Sequence, residues 1–243
     1  ALLDDLKNKK ARAASLEAIL KNHSNFYAGV KSVLQEADRL GGIVGAVSEK
    51  LSFDSQYQTA LEIALGASSQ HIIVEDEAAA TRAIDFLKKN RAGRATFLPL
   101  TTIKARQLPE QNQSRIEASP GFLGIASELV TYEPGLDNIF QNLLGTTAIF
   151  DTIEHARAAA RQVRYQVRIV TLDGTELRTG GSYAGGANRN NNTIFIKPEL
   201  DSLLGEMEQQ SQKLKAQEQQ VENLQSQLSE AKQALEAIKS EGE

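Results

Sequence analysis

Stepping alternately by four and three residues from Leu2 lands on Leu2, Leu6, Lys9, Ala13, Leu16, Leu20, His23, Tyr27, Val30, Leu34 and Ala37, nine of them apolar or aromatic. The same steps near the C-terminus give Leu200, Leu203, Met207, Gln210, Leu214, Gln217, Val221, Leu224, Leu228, Ala231, Leu235 and Ile238, ten of them apolar. Neither run contains proline, and Gln, Glu, Lys, Ser and Asn fill the gaps. An apolar position every 3.5 residues is the seam of a coiled coil. The spacing predicts coil arms over 1–40 and 199–243, with seams of roughly 38 and 42 residues, each about 60 Å long as helix. Unpaired, each seam would leave its leucines in water at about 0.8 kcal/mol per methylene. Matched seams on either side of a middle section are satisfied by antiparallel pairing within the chain. The alternative, each flank packing as an amphipathic helix on the middle section, calls for a wider apolar stripe. His23 and Gln217 occupy seam positions, where polar residues fix register, so His23 receives no ligand role.

Between the flanks the pattern changes to short apolar runs separated by turns, and it repeats. Residues 42–66, GIVGAVSEKLSFDSQYQTALEIALG, align with 121–145, GFLGIASELVTYEPGLDNIFQNLLG, at an offset of 79. After a three-residue deletion, 72–83 aligns with 148–159, and 94–100, RATFLPL, with 168–174, RIVTLDG. Each copy reads as strand, helix, strand, Ala-rich helix, strand. Asp54 is placed to cap a helix with Tyr57, Leu61 and Leu65 on one face and Gly66 as its stop. Asp76 is placed to cap the next, which ends near Lys88, Lys89 and Asn90. Pro134-Gly135 marks a turn, and 104–120, with two prolines, reads as a linker between lobes. Two α+β lobes are expected, over 41–118 and 119–198, with a ribbon around 174–197.

Composition narrows the chemistry. The 243 residues include no cysteine or tryptophan, which excludes disulfides and thiolate metal sites and suits a reducing compartment. No apolar run reaches the roughly 20 residues of a membrane span. The chain opens at Ala1 inside a helical pattern, as expected of a segment of a longer protein. Residues 41–198 carry 16 basic and 16 acidic residues, so the net charge of −4 resides in the flanks. The overall basic balance of a strong nucleic-acid binder is absent, and any DNA contact must come from a local patch.

The stretch 179–192, TGGSYAGGANRNNN, places Gly180, Gly181, Gly185 and Gly186 within seven residues. It is no P-loop, because no Gly-Lys-Ser/Thr follows, and no dinucleotide fingerprint, because it does not join a strand to a helix with a later acidic residue. His23, His71 and His155 lack metal-ligand spacing, and Ser182 has no neighbouring base. No catalytic, cofactor or metal site is predicted. Glycine also serves a strand that must admit another backbone closely. An edge strand without charge or proline, as 179–187 is, templates pairing with another chain. A flexible loop is the other reading that composition allows.

Two coils bracketing a duplicated α+β section, with 57–66 YQTALEIALG, 94–100 RATFLPL and 169–186 IVTLDGTELRTGGSYAGG, resemble the hinge of SMC (structural maintenance of chromosomes) proteins of the bacterial type. The resemblance covers about 41–198, with the flanks as inner arm ends. It implies an α+β, two-lobed duplicated hinge fold on an intramolecular antiparallel coiled coil. It further implies a non-enzymatic homodimerisation module of a condensin-type ATPase of chromosome condensation and segregation, cytoplasmic and nucleoid-associated. ATP and Mg, together with kleisin-type subunits, would belong to heads outside this chain. The family's interface glycines fall on Gly180, Gly181, Gly185 and Gly186. DNA contact is implied near the hinge–coil junction. Many bacterial relatives carry lysines after the second glycine pair; here 187–192 is ANRNNN, with Arg189 its only charge. Arg189 and Lys197 are the candidate contacts, a sparse set that implies weak binding. Lys50 and the pair Arg91 and Arg94 are further basic candidates. A module that mainly binds DNA is the alternative; a zinc hook is excluded by the lack of cysteine.

Overall fold

A computed structural model describes residues 2–187 and 194–241. Helices α1 (Leu2–Asn22), α2 (Ala28–Gln35) and α3 (Ala37–Leu40) lead into β1 (Ile43–Ala46), β2 (Leu51–Phe53), α4 (Gln58–Leu65), β3 (Ile72–Val74), α5 (Glu77–Asn90) and β4 (Phe97–Pro99). Then come α6 (Glu110–Glu117), β5 (Phe122–Ile125), β6 (Val130–Tyr132), α7 (Asp137–Leu144), β7 (Thr147–Phe150), α8 (Ile153–Gln162), β8 (Arg168–Thr171), β9 (Glu176–Leu177), β10 (Tyr183–Ala184) and α9 (Ile196–Glu241). The chain forms two compact units: the segment up to Glu17 with that from Glu199 onward, and residues 18–198.

In the first unit, α1 and α9 run antiparallel. Gln210 Nε2 donates to Asp5 Oδ2 at 2.6 Å, Lys9 Nζ meets Glu206 at 3.1 Å, and Arg12 meets Glu199 at 2.9 Å. One partner's number rises as the other's falls. Lys9, a polar seam residue, is thus held by a cross-helix carboxylate, which keeps its ammonium charged to higher pH than usual. Ala13, Leu16 and Leu200 are buried, whereas Val221, Leu224, Leu228, Leu235 and Ile238 are more than half exposed.

The expected arm over 1–40 is not one helix. It breaks at His23, whose φ is +50°, and α2 restarts after Tyr27. Phe26, Val30 and Val33 are buried with Ala79, Ala83 and Leu87 of α5. The second half of the N-terminal flank is therefore part of the globular unit. Over three turns, spacings of 3.5 and 3.6 differ too little to separate a coil seam from a helix on a core.

The repeat determines the second unit. Lobe 1 holds a sheet in the order β1-β3-β4, and lobe 2 one in the order β10-β9-β8-β7-β5. Adding 79 to the bounds of β1, β2 and α4 gives β5, β6 and α7 residue for residue, and both copies break register at matching glycines, Gly45 and Gly124. The last strand corrects the alignment. Ile72 pairs with Phe97, and its counterpart Ala148 with Ile169, so the offset there is 72, not the 74 of RATFLPL on RIVTLDG. A two-residue slip leaves inward and outward alternation unchanged, which is why the apolar pattern does not reveal it.

The segment expected as a linker, 104–120, contains α6. Its Ile116, with Leu108, is buried in the core formed by α8 and the lobe 2 sheet. The stretch from Leu108 thus belongs to lobe 2, ahead of the expected division at 118. Two apolar residues suffice because the buried face of α6 also holds Asn112, which donates to Gln166 Oε1 at 3.4 Å, and its other face meets water. Asp76 caps α5 through the Ala79 N–H at 2.8 Å, while Asp54 caps a short 3-10 turn that precedes α4.

β2 and β6 pair antiparallel, Leu51 with Tyr132, Ser52 with Thr131 and Phe53 with Val130. Since Val130, Thr131 and Tyr132 are the repeat counterparts of Leu51, Ser52 and Phe53, an internal two-fold axis passes between Ser52 and Thr131. Around it lies the largest core, drawing Leu61, Leu65, Ile73 and Leu98 from lobe 1 and Ile139, Phe140, Ile149 and Val170 from lobe 2. Phe195 joins it edge-on to Phe53 at 4.6 Å, anchoring the entry to α9.

Candidate dimer interface

The β9–β10 ribbon carries the glycines. Tyr183 pairs with Leu177 and Ala184 with Glu176. Between them, Arg178 N–H donates to Ser182 O at 2.8 Å, Gly181 N–H to Arg178 O at 3.1 Å, and Gly180 N–H to Tyr165 O at 2.9 Å. Gly180 and Gly181 therefore form the hairpin turn, at φ +86° and +96°, a region that side chains disfavour. Gly185 and Gly186 follow β10 directly. Gly186 has φ +130°, but Gly185 has an ordinary φ, and a Cβ there would sit 3.5 Å from Thr175, normal contact. At Gly180 and Gly186 a Cβ would meet nothing within 4 Å. Packing inside the chain thus does not require glycine at 180, 185 or 186.

β10 ends its sheet, and Tyr183 beside the glycines is 51% exposed. A second sheet end, which sequence reasoning missed, is β4. Thr96 O accepts from Ile72 N–H and Leu100 N–H donates to Val74 O, so these residues face β3 and the intervening Phe97 faces the other edge. In lobe 2 the equivalent edge of β8 is taken by β9. Lobe 1 has no strand there, since 100–109 turns away. The repeat itself held this signal: only its second copy continues into a ribbon.

Three charged residues at the ribbon also went unanticipated. Arg168 Nε meets Glu176 at 2.7 Å, its other nitrogens donate to the carbonyls of Ala64 and Ile63, and Arg178 takes the second Glu176 oxygen at 3.2 Å.

The basic candidates are dispersed. Arg189 lies outside the described residues. Lys197 is exposed in the first turn of α9, and both it and Lys50 act on the half-buried Glu49. Burial pushes the Glu49 carboxyl up despite the opposing pull of His23, Lys197 and Lys50. One Glu49 oxygen has no hydrogen-bond partner among the described residues. Arg94 lines a separate cavity of about 200 Å³ with Tyr27, Gln70 and His71, and Arg91 closes α5 in a left-handed conformation. A groove of about 540 Å³ holds Arg39, Arg82 and Lys89, but Arg82 is bonded to the Leu40 and Gly41 carbonyls and Arg39 to Glu36. Among the described residues no group of His, Asp and Glu is arranged to hold a metal, and no helix is long and apolar enough to cross a membrane.

The Glu49 shift has a testable sign. The folded carboxyl keeps its proton to higher pH than the unfolded one. The native state therefore binds more protons in that window, and stability falls as pH rises through it. Glu49→Gln removes this loss. It is expected to unfold at higher temperature than the parent at neutral pH, with the gain vanishing below the ordinary glutamate range of about 4. An equal gain at both pH values would exclude ionisation as its cause.

A duplicated two-lobed α+β unit with an internal dyad, in a chain whose two ends form an antiparallel helix pair, is the architecture of an SMC hinge. The model of the SMC proteins flexible hinge domain matches residues 40–160. The chain is 42% identical over 221 residues to the chromosome partition protein Smc of Bacillus subtilis, covering 90% of this chain and 19% of that protein. A crystal structure of an asymmetric dimer of the Geobacillus stearothermophilus SMC hinge domain is 38% identical and superposes with a TM-score of 0.80, covering 90% of this chain and 88% of that one. The Pyrococcus furiosus Smc hinge domain with an extended coiled coil matches at 28% identity and TM-score 0.58, over 95% and 86% of the two chains. The chain belongs to the SMC hinge family and spans about a fifth of the length of the Bacillus relative.

Proposed function

We propose that this chain is the homodimerisation hinge of a chromosome-organising ATPase, joining two copies through backbone pairing at the β10 ribbon. The observation that carries this reading is a sheet ending in a strand without charge or proline, next to Gly185, where the chain's own backbone and packing would admit a side chain. The partner surface is the vacant edge of β4. Because each copy has one β10 and one β4, a two-fold dimer makes two equivalent contacts and leaves neither strand unpaired. The related Geobacillus hinge, described as an asymmetric dimer, supports the association of two hinges.

In the whole protein the coil continues to ATPase heads that bind ATP and Mg and engage kleisin-type subunits, in a cytoplasmic, nucleoid-associated setting. The hinge itself performs no catalysis. DNA contact, through Arg189 and Lys197, which are close in sequence to the start of the C-terminal coil, is weak because 187–192 carries a single charge.

Sedimentation equilibrium over a dilution series tests the dimer. A mass near twice 26.5 kDa that falls toward one chain on dilution is expected. A single-chain mass at every concentration would overturn the proposal. A primarily DNA-binding module, the second reading, would retard duplex DNA at low salt and release it steeply as salt rises; absence of any shift removes it.

A further inference from the structure

The dimer reading places both contacting strands, β4 and β10, on one chain but in different lobes. The two-fold arrangement closes twice only when the spacing and angle between these strands are held. With a loosely hung ribbon, forming the second contact would cost the entropy of ordering it, and the advantage of two linked contacts would be lost.

One side chain crosses from lobe to lobe at the ribbon. The Arg168 guanidinium faces Glu176 of β9 through Nε at 2.7 Å, while Nη1 and Nη2 donate to the carbonyls of Ala64 and Ile63 at 2.7 and 3.0 Å. Those carbonyls end α4, where the helix leaves acceptors without partners and favours a cation. Glu176 is only 8% exposed, a burial that a carboxylate tolerates when paired. Its second oxygen takes Arg178, whose N–H opens the glycine turn by bonding Ser182 O. An unbroken chain of hydrogen bonds and ion pairs thus runs from lobe 1's α4 to the turn that starts β10.

Two further observations concern the same ribbon. Gly174, at φ +88°, lies in the turn before β9, and a Cβ there would stand 3.0 Å from Thr59 Cγ2 of α4, so this turn sits flush on lobe 1. From the lobe 2 side, Arg164 and Tyr165 both adopt left-handed backbone, φ +53° and +57°, and the Tyr165 carbonyl receives Gly180 N–H. Consecutive left-handed non-glycine residues are costly and persist where the surroundings fix them.

We infer that Arg168 is a positioning residue for dimerisation: by tying the α4 carbonyls to Glu176 it fixes the β9–β10 ribbon relative to β4, so that both contacts of the dimer close together. The inference rests on the dimer reading above. Arginine suits the task because its fork reaches a carboxylate and two carbonyls at once, which a single ammonium cannot.

The test compares Arg168→Leu, Arg168→Lys and Glu176→Gln with the parent chain. It reads dimer dissociation by sedimentation, amide hydrogen exchange at Arg178 and Gly180, and the thermal midpoint. Arg168→Leu is expected to weaken dimerisation by roughly tenfold to a hundredfold, the range for lost charge-assisted bonds. Protection of the two ribbon amides should fall, while amides of β3 stay protected. Arg168→Lys should recover part of the affinity, as a merely space-filling role would not. Should the leucine variant fail to fold, Glu176→Gln, which keeps shape and an acceptor, is expected to weaken dimerisation by about three- to tenfold. Unchanged dissociation in Arg168→Leu, or in Glu176→Gln if that variant must stand in, overturns the inference while leaving the dimer intact. A parent chain that is monomeric at all concentrations instead overturns the dimer reading on which it rests.

Discussion

Gly185→Ala is expected to yield a folded protein that dimerises roughly five- to 150-fold more weakly at each contact, the range that about 1–3 kcal/mol of overpacking implies. Two equivalent contacts double that free energy, so the variant should be monomeric at micromolar concentration. Position 185 is the informative one of the four. Gly180, Gly181 and Gly186 have φ between +86° and +130°, so alanine there strains the backbone whether or not a partner is present. At Gly185 the backbone accepts a side chain, and the new Cβ makes ordinary contact with Thr175. Any loss of dimer then comes from the approaching chain. Thermal unfolding within about 2 °C of the parent, measured on the same samples, would show that the fold is intact. Full-strength dimerisation of Gly185→Ala would remove this glycine from the interface.

Phe140→Ala is expected to cost about 3–5 kcal/mol, the usual cost of emptying a buried aromatic site. Phe140 is fully buried and stacks on Tyr132 at 4.6 Å and 17°. Tyr132 pairs in turn with Leu51 of the other lobe. The core around Phe140 belongs to both repeats, so the loss should appear as one transition moved down by about 6–20 °C for a unit of this size. Calorimetry that resolves two transitions, with only the later-sequence lobe affected, would show that the lobes fold separately and that the shared core does not couple them.

Much of this architecture was legible beforehand, and each failure has a physical cause. The offset of 79 located β5, β6 and α7 from β1, β2 and α4 to the residue, because a duplicated chain keeps its turns. The cap at Asp76 was visible because capping is local, a side chain serving an N–H three residues away. The arm over 1–40 was misjudged beyond His23 because an apolar stripe does not name its partner. Val30 satisfies a coil seam and a globular core equally well, and here α5 provides the core. The stretch 104–120 concealed α6 because one buried face needed only Leu108 and Ile116. The strand offset was misread by two residues because only pairing, not alternation, fixes register.

The candidate site divides the same way. The glycines and the lack of charge around Tyr183 are properties of the chain, open to inspection in order. The vacant edge of β4 and the reach of Arg168 to Ile63 and Ala64 are not, since the first depends on how separate strands pair and the second joins residues about a hundred positions apart. By itself the sequence determined the periodicities, the duplication and the bare backbone of the ribbon, because these depend on neighbours a few residues apart. Only the tertiary structure decided which apolar faces meet, which sheet edges remain vacant and which charge bridges the lobes, because a face, an edge or a bridge exists only once distant segments have been brought together.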